Sequence, residues 1–234
     1  MRFAMSSRRV LLPLFGVVVL LLAMVATLWW HRSQAADEPR GNAIVEALSG
    51  EEVGGYARAL TPGALQFPRD LGAHPDYRTE WWYYTGNLET QEGREFGFQL
   101  TFFRTALAPP GRSATGTSAF RTSQIYFAHF AVSDVERERF FQDEQFARGA
   151  AGLAGAEAVP YHVWVNDWAA QELKDGRVAL QAQSEEAEIM LYLTPTLPPV
   201  LHGDEGLSRK GARPGNASYY YSIVRQEVRG EVGV

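Results

Sequence analysis

The chain has 234 residues, of which 46% are hydrophobic, and carries a formal net charge of -5. Beyond an N-terminal segment, that length suits one barrel-sized domain and excludes a second full domain. The acidic balance, with no long basic run in the part expected to fold, excludes nucleic acid as a partner. The absence of cysteine excludes disulfides and thiolate chemistry, so the core must hold the fold.

The N-terminus has the pattern of a membrane anchor. Arg2, Arg8 and Arg9 precede residues 10–30, which contain no charge. About 20 apolar residues span a bilayer, and a positive flank stays in the cytoplasm. The rest of the chain is therefore expected on the periplasmic side of the inner membrane. The alternative is a signal peptide cleaved near the small residues 33–36, which would release the protein into the periplasm.

The boundaries of three segments follow from composition. Residues 1–36 form the anchor or signal peptide, and residues 37–66 are rich enough in Gly and Pro to indicate a tether. Residues 67–234 form the folded domain. Apart from a short helical pattern in the tether, no long amphipathic helix is predicted after residue 36.

Period-two patterning predicts an all-β domain. Phe96, Phe98, Leu100 and Phe102 fall on one face of a strand, and residues 125–132 alternate in the same way. Glu92-Gly93 and Lys174-Asp175-Gly176 predict hairpin turns, whereas residues 195–215 read as a long loop. Consecutive antiparallel strands fit an up-and-down barrel or a sandwich better than a parallel sheet, and the barrel is the preferred prediction. The other predicted strands are 80–88, 162–168, 177–184, 188–194 and 219–228.

Residues 74–88 combine aromatic and charged side chains in a way that is unusual for a core strand and indicates a lined pocket. Strand alternation places Glu80, Trp82 and Tyr84 in one row and Trp81 in the other. Which row faces the interior depends on the register. Plain core packing of these rings is the alternative.

The candidate catalytic residues are carboxylates. Glu80 and Asp76 lie beside aromatic residues, where burial would keep a proton available for general acid catalysis. A structural ion pair of Glu80 with Arg78 or Arg104 is the competing interpretation. His129, flanked by phenylalanines, reads as a hydrogen-bonded core histidine or as a pocket residue.

Common enzyme signatures are missing. The sequence contains no GxSxG elbow, phosphate-binding loop, dinucleotide fingerprint or HExxH motif. Its histidines are scattered singly, so no metal site is expected.

Four ordered runs, at residues 67–88, 93–105, 123–134 and 202–222, resemble the carotenoid 1,2-hydratase family of lipocalin-like proteins. The resemblance implies a lipocalin-like (calycin) barrel, two of them in whole members, and no metal or organic cofactor. Hydratases of this family add water to the terminal double bond of acyclic carotenoids, which needs a proton donor and a cation-tolerant pocket. The resemblance also implies that the catalytic acid of the family lies in the second barrel, which is expected to be absent from this chain.

Three functions follow as expectations. The first is an exported lipocalin-like module that binds a hydrophobic small molecule or lipid in an aromatic cavity. The second is a carotenoid hydratase, incomplete in this chain, with Glu80 or Asp76 as the acid. The third is a structural half that needs a second barrel or a transporter component as its partner. The candidate ligand-binding residues are Trp81, Trp82, Tyr84, Phe98, Arg104 and His129.

Overall fold

A computed structural model describes residues 54–111 and 122–234 of the chain. Neither stretch contains a helix that is long and apolar enough to cross a membrane. The predicted anchor or signal peptide, and the first part of the predicted tether, lie outside these residues. The described strands belong to one unit, Glu52–Val234.

The first sheet contains four antiparallel strands in sequence order. Their bounds are β1 Thr79–Glu89, β2 Glu95–Ala106, β3 Gln124–Asp134 and β4 Arg139–Arg148. Gly93, which adopts a positive φ of 83°, forms the turn between β1 and β2 at the predicted Glu92-Gly93 position. A 3-10 turn, Arg69–Leu71, precedes the sheet.

The remaining strands form a second large sheet and two small ones. In chain order they are β5 Ala154–Glu157, β6 His162–Val165, β7 Trp168–Glu172, β8 Val178–Gln183, β9 Glu188–Pro195, β10 Val200–Leu201, β11 Leu207–Arg209, β12 Ala217–Tyr219, β13 Tyr221–Ser222 and β14 Gln226–Gly233. The six-stranded sheet has the order β14-β9-β8-β7-β6-β5. Strand β10 pairs with β13, and β11 pairs with β12.

The all-β antiparallel class is confirmed, but no closed barrel is found among the described strands. A closed barrel requires every strand to have hydrogen-bonded neighbours on both sides. Here β1 and β4 are the outer strands of the first sheet, and β5 and β14 are those of the second. The ladder ends after β4 because the chain turns and resumes as the four-residue β5, which pairs only with β6.

The core lies between the two large sheets. Phe102 and Phe130 of the first sheet and Trp168 and Leu180 of the second are all almost inaccessible to solvent and belong to one hydrophobic cluster. The rings of Phe130 and Trp168 meet edge to face with centroids 5.6 Å apart, a favourable geometry for an aromatic pair. This contact joins β3 to β7 across the core.

Register decides the orientation of the aromatic strand β1. Trp82 pairs with Phe102, and Tyr84 pairs with Leu100, so the row that begins at Glu80 faces the core. Trp81 pairs with Phe103 on the opposite face and is exposed. The two rows that the sequence predicts are therefore real, and only one of them is interior.

Two strand predictions differ from the structure. The predicted strand 162–168 is a hairpin, β6 and β7, which turns at Asn166, a residue with a positive φ of 53°. The predicted strand 219–228 is divided because Tyr219 pairs with Leu207 whereas Tyr221 pairs with Leu201. Strand β4 was not predicted, since polar residues dominate both of its faces, as is common in an edge strand.

Candidate functional site

An ion pair crosses the inner face at one end of the first sheet. Glu80 of β1 and Arg104 of β2 are direct partners in the ladder, and Arg104 Nε donates a hydrogen bond to Glu80 Oε2 at 3.3 Å. The Arg104 side chain is 1% exposed and that of Glu80 is 13% exposed. Because water screens buried charges only weakly, the carboxylate of Glu80 and the guanidinium of Arg104 each need the other for electrostatic compensation.

His74 extends this pair into a longer network. Its ring Nδ1 lies 2.7 Å from Glu80 Oε1, and its Nε2 lies 3.3 Å from Asp70 Oδ1. The backbone N–H of His74 also donates to the carboxylate of Glu80. Arg69 completes the network with hydrogen bonds to both oxygens of Asp70. We call these five residues the ionic network.

The charges of the ionic network stabilise one another. The hydrogen bond from Arg69 is the largest cause that lowers the pKa of Asp70 to about 2 from 3.8. The hydrogen bond to Glu80 is the largest cause that raises the pKa of His74 above 6.5, and Asp70 adds to it. A doubly protonated imidazole satisfies both carboxylates at once. The geometry therefore favours His74 as a cation.

We expect stability to pass through a maximum in mildly acidic solution. Because the pKa of His74 is raised on folding, its contribution is complete below pH 6.5 and is lost as the pH rises through the folded-state value. The pKa of Asp70 is lowered, so its contribution is lost as the pH falls from 3.8 towards 2. That shift corresponds to about 2.4 kcal/mol, reduced to about 1 kcal/mol because Arg69 is exposed.

Urea denaturation at pH 5, 6.5 and 8 measures this dependence. The midpoint of the natural protein should fall from pH 5 to pH 8. In His74→Gln the alkaline fall should disappear, since burial lowers the pKa of His162 and gives the opposite slope. A fall of equal size in His74→Gln would contradict the assignment.

Arg104 has unused hydrogen-bonding capacity. Its Nη2 donates to the carbonyls of His74 and Tyr77 at 3.0 and 2.8 Å, and its Nε donates to Glu80. Nη1 is buried and has no acceptor among the described residues. Since a guanidinium group carries five N–H donors, two of the five lack an acceptor.

Buried tyrosines surround this end of the core. Tyr126 of β3 follows Arg104 in the same inner row, and burial raises its pKa to about 12 while the charge of Arg104 opposes the rise. The hydroxyls of Tyr84 and Tyr161 are hydrogen-bonded to one another. Burial raises the pKa of both groups, and also that of Tyr221. These hydroxyls are therefore neutral at physiological pH.

A cleft of about 500 Å³ opens beside Tyr126, between the start of β3 and strand β5. Trp164 of β6 lines its other side and donates its indole N–H to the carbonyl of Gly152 at 3.0 Å. Thr122 ties the 149–152 loop to β3 by accepting and donating hydrogen bonds. The cleft therefore has an aromatic residue on each side and a fixed loop at its rim.

Two glycines leave room for these rings. A Cβ at Gly155 would lie 2.4 Å from the Trp164 ring, and one at Gly149 would lie 3.0 Å from the Tyr126 ring. Both distances are shorter than ordinary van der Waals contact between carbon atoms. Glycine at these positions therefore allows both aromatic rings to line the cleft.

The outer face of the first sheet is also aromatic. The registers of β1 to β4 align Trp81, Phe103, Phe127 and Phe146 in one row across the sheet, and Phe103 stacks on Phe127 at 4.5 Å. We call these four residues the outer aromatic row. A groove of about 330 Å³ lies on the same face and is lined by His129. Trp81 and Phe146 are exposed.

The structure divides the predicted site residues between two faces. Glu80, Arg104, Trp82, Tyr84 and Phe98 point into the core, whereas Trp81 and His129 point outward. The predicted lining residues therefore do not surround one cavity. Asp76 is exposed, and its backbone carbonyl accepts a hydrogen bond from Ala57.

Sequence reasoning missed the residues of the cleft. Alternation within residues 125–132 places Tyr126 and His129 on opposite faces of the strand, as the register has them, but no sequence pattern indicates that Tyr126 borders an opening. Trp164 lay within a strand predicted to continue through the β6–β7 turn. Gly155 was the available signal, since glycine inside a strand often marks a close approach.

The carboxylates of the ionic network are occupied by cationic partners. Arg69 binds both oxygens of Asp70, and Arg104 shares Glu80 with His74. These contacts use the lone pairs that a metal ion would need. No group of three or more acidic or histidine residues in 54–111 and 122–234 has metal-binding geometry.

Comparisons with known proteins place most of the described region in one family. Residues 58–234 match the family model described as AttH-like. A crystal structure of a candidate AttH from Nitrosomonas europaea, at 2.00 Å resolution, is similar with a TM-score of 0.65 and 38% sequence identity. The similarity covers 75% of this chain and 52% of that one, so this chain spans about half of that protein's length. No curated protein matches the chain.

Proposed function

The chain belongs to the AttH-like family, and from this premise we propose that it is a lipocalin-like binding module that holds an apolar or amphipathic molecule in the cleft between β3 and β5. AttH is related to the lipocalin-like hydratases, so the sequence resemblance is confirmed at that level only. The module is proposed to act on the periplasmic side of the inner membrane. Export and anchoring through the N-terminal segment remain predictions.

The cleft carries this proposal. Its volume of about 500 Å³ falls within the range of small-molecule sites. The half-buried ring of Trp164 offers an apolar surface with an N–H at one end, which suits an amphipathic ligand, and the buried Tyr126 closes the other side of the cleft. Two of the candidate residues, Trp82 and Arg104, lie on the same inner face of the first sheet as Tyr126, which lines the cleft, whereas Trp81 lies on the outer face.

Tryptophan fluorescence of the full-length chain tests the proposal. Titration with dodecanol, a twelve-carbon apolar chain, should give a saturable change with a dissociation constant in the micromolar range. Trp164→Phe should remove most of the signal, because this indole borders the cleft. Trp81→Phe is the matched control on the outer face and should leave the signal unchanged.

Two results would contradict the cleft as the site. An absence of saturable binding in the natural protein would overturn the binding function. Loss of the signal in Trp81→Phe with retention in Trp164→Phe would place the ligand on the outer face of the first sheet, beside the outer aromatic row.

The geometry gives the hydratase alternative less support. Both oxygens of Glu80 accept hydrogen bonds from N–H donors of His74 and Arg104, which is the arrangement of a structural ion pair. Asp76 is exposed. Neither residue lines the cleft, so a hydratase site in this chain would need a proton donor from elsewhere.

The structural-half alternative has one observation in its favour. Trp81 and Phe146, at the two ends of the outer aromatic row, are 37% and 58% exposed, and aromatic residues are enriched at protein interfaces. The Nitrosomonas protein is about twice as long as the region that it shares with this chain. A second domain of that additional length is the partner that fits this alternative. The full-length chain would then fail the dodecanol titration and self-associate through this face.

A further inference from the structure

We infer that the ligand carries a carboxylate or similar anionic oxygen group and that this group binds Arg104 behind Tyr126. The inference rests on the proposed function, because it names the chemical class of the molecule in the cleft. An amphipathic acid, with an apolar tail in the cleft and a charged head at Arg104, is the class that fits.

The first argument is the hydrogen-bonding state of Arg104. Its Nη1 is buried and without an acceptor among the described residues, although the other donors of the side chain are bound. A buried donor without a partner costs about 1–3 kcal/mol, and more when it is charged. An acceptor that reaches Nη1 therefore binds with an advantage that an apolar molecule lacks.

The second argument is the charge of the ionic network. Arg69, His74 and Arg104 are cations when His74 is protonated, and Asp70 and Glu80 are the anions. The network then carries one net positive charge. A single anionic ligand group balances it, and charge-assisted hydrogen bonds to a guanidinium are stronger than those between neutral groups.

The third argument is position. Tyr126 lines the cleft and is also the neighbour of Arg104 in the ladder. Its hydroxyl donates to the Gln124 side chain at 2.6 Å, so a polar pair stands at the point where the cleft meets the inner row. The next inner row is apolar, with Trp82, Phe102 and Ala128 in register. Arg104 is therefore the charged inner-face residue that adjoins the cleft-lining Tyr126 in the ladder.

An ordered water is the alternative partner for Nη1, since buried polar groups are often satisfied in this way. Water alone would give no preference for acidic ligands. The two cases therefore differ in a measurable selectivity.

The experiment compares dodecanoate with methyl dodecanoate and dodecanol, which have the same apolar tail, in the full-length chain at pH 6.5. We expect dodecanoate to bind at least tenfold more tightly than either neutral ligand. Arg104→Lys, which keeps the charge but loses the planar fork, should reduce the preference to about twofold. Arg209→Lys, at an exposed position of β11, should retain it.

Each outcome decides a different point. Equal binding of the three ligands would overturn the inference and leave the binding function standing, whereas binding of none would overturn the proposed function. Full selectivity in a folded Arg104→Lys would place the anion elsewhere and also overturn the inference. If Arg104→Lys does not fold, Tyr126→Phe decides: it should weaken dodecanoate binding several-fold and leave dodecanol binding unchanged, and an equal effect on both ligands would contradict the inference.

Discussion

Glu80→Gln should lower the free energy of unfolding by about 3 kcal/mol, because removal of one partner from a buried ion pair leaves the other charge without compensation. Arg104 is 1% exposed, and its Nε is bound to Glu80. The same substitution also removes the anion that faces the His74 ring at 2.7 Å. Urea denaturation at pH 6 measures the effect.

Glu227→Gln is the control, since Glu227 is an exposed strand residue of β14. It should change the unfolding free energy by less than about 0.5 kcal/mol. If Glu80→Gln were as stable as the natural protein, the ion pair would not be structural, and a catalytic role for Glu80 would regain weight. Loss of carotenoid hydration in such a stable variant would establish that role.

Trp168→Ala should lower the free energy of unfolding by about 4 kcal/mol, the usual range for removal of a large buried aromatic residue. Trp168 is fully buried and contacts Phe130 of the opposite sheet. Its indole N–H also donates to the carbonyl of Gln183 at 2.8 Å. The substitution therefore weakens the packing between the two large sheets as well as one hydrogen bond.

Trp164→Ala provides the matched comparison, because this tryptophan is half-buried and borders the cleft. We expect a stability loss of about 1 kcal/mol together with a large loss of dodecanol affinity. Similar stability losses in the two variants would show that Trp164 itself packs as a core residue and that the cleft closes in solution.

The two variants also separate stability from binding. The ionic network and the Phe130–Trp168 contact hold the inner face in place, whereas Tyr126 and Trp164 border the opening. In proteins of this kind a site is positioned by a packed scaffold and lined by residues at strand ends and loops. Effects on affinity without loss of stability are therefore expected at the cleft.

The antiparallel β class and the two rows of strand β1 could be predicted from the sequence alone. Alternation with a period of two is a local property, and it correctly paired Glu80, Trp82 and Tyr84 on one face. The Glu92-Gly93 turn was also local, because only glycine adopts its positive φ of 83° without strain. Local patterns could not show that the strands form two separate large sheets instead of one closed barrel.

Which residues meet at the site could not be predicted in this way, because it depends on the register and packing of the strands. Glu80 and Arg104 become partners through the β1–β2 register, and His74 and Asp70 join them from the segment before the sheet. Tyr126 and Trp164 come together from different sheets. Contacts between residues distant in sequence depend on register and sheet packing, which are properties of the whole fold. A single sequence supplies the residue types and the faces, and packing supplies the neighbours.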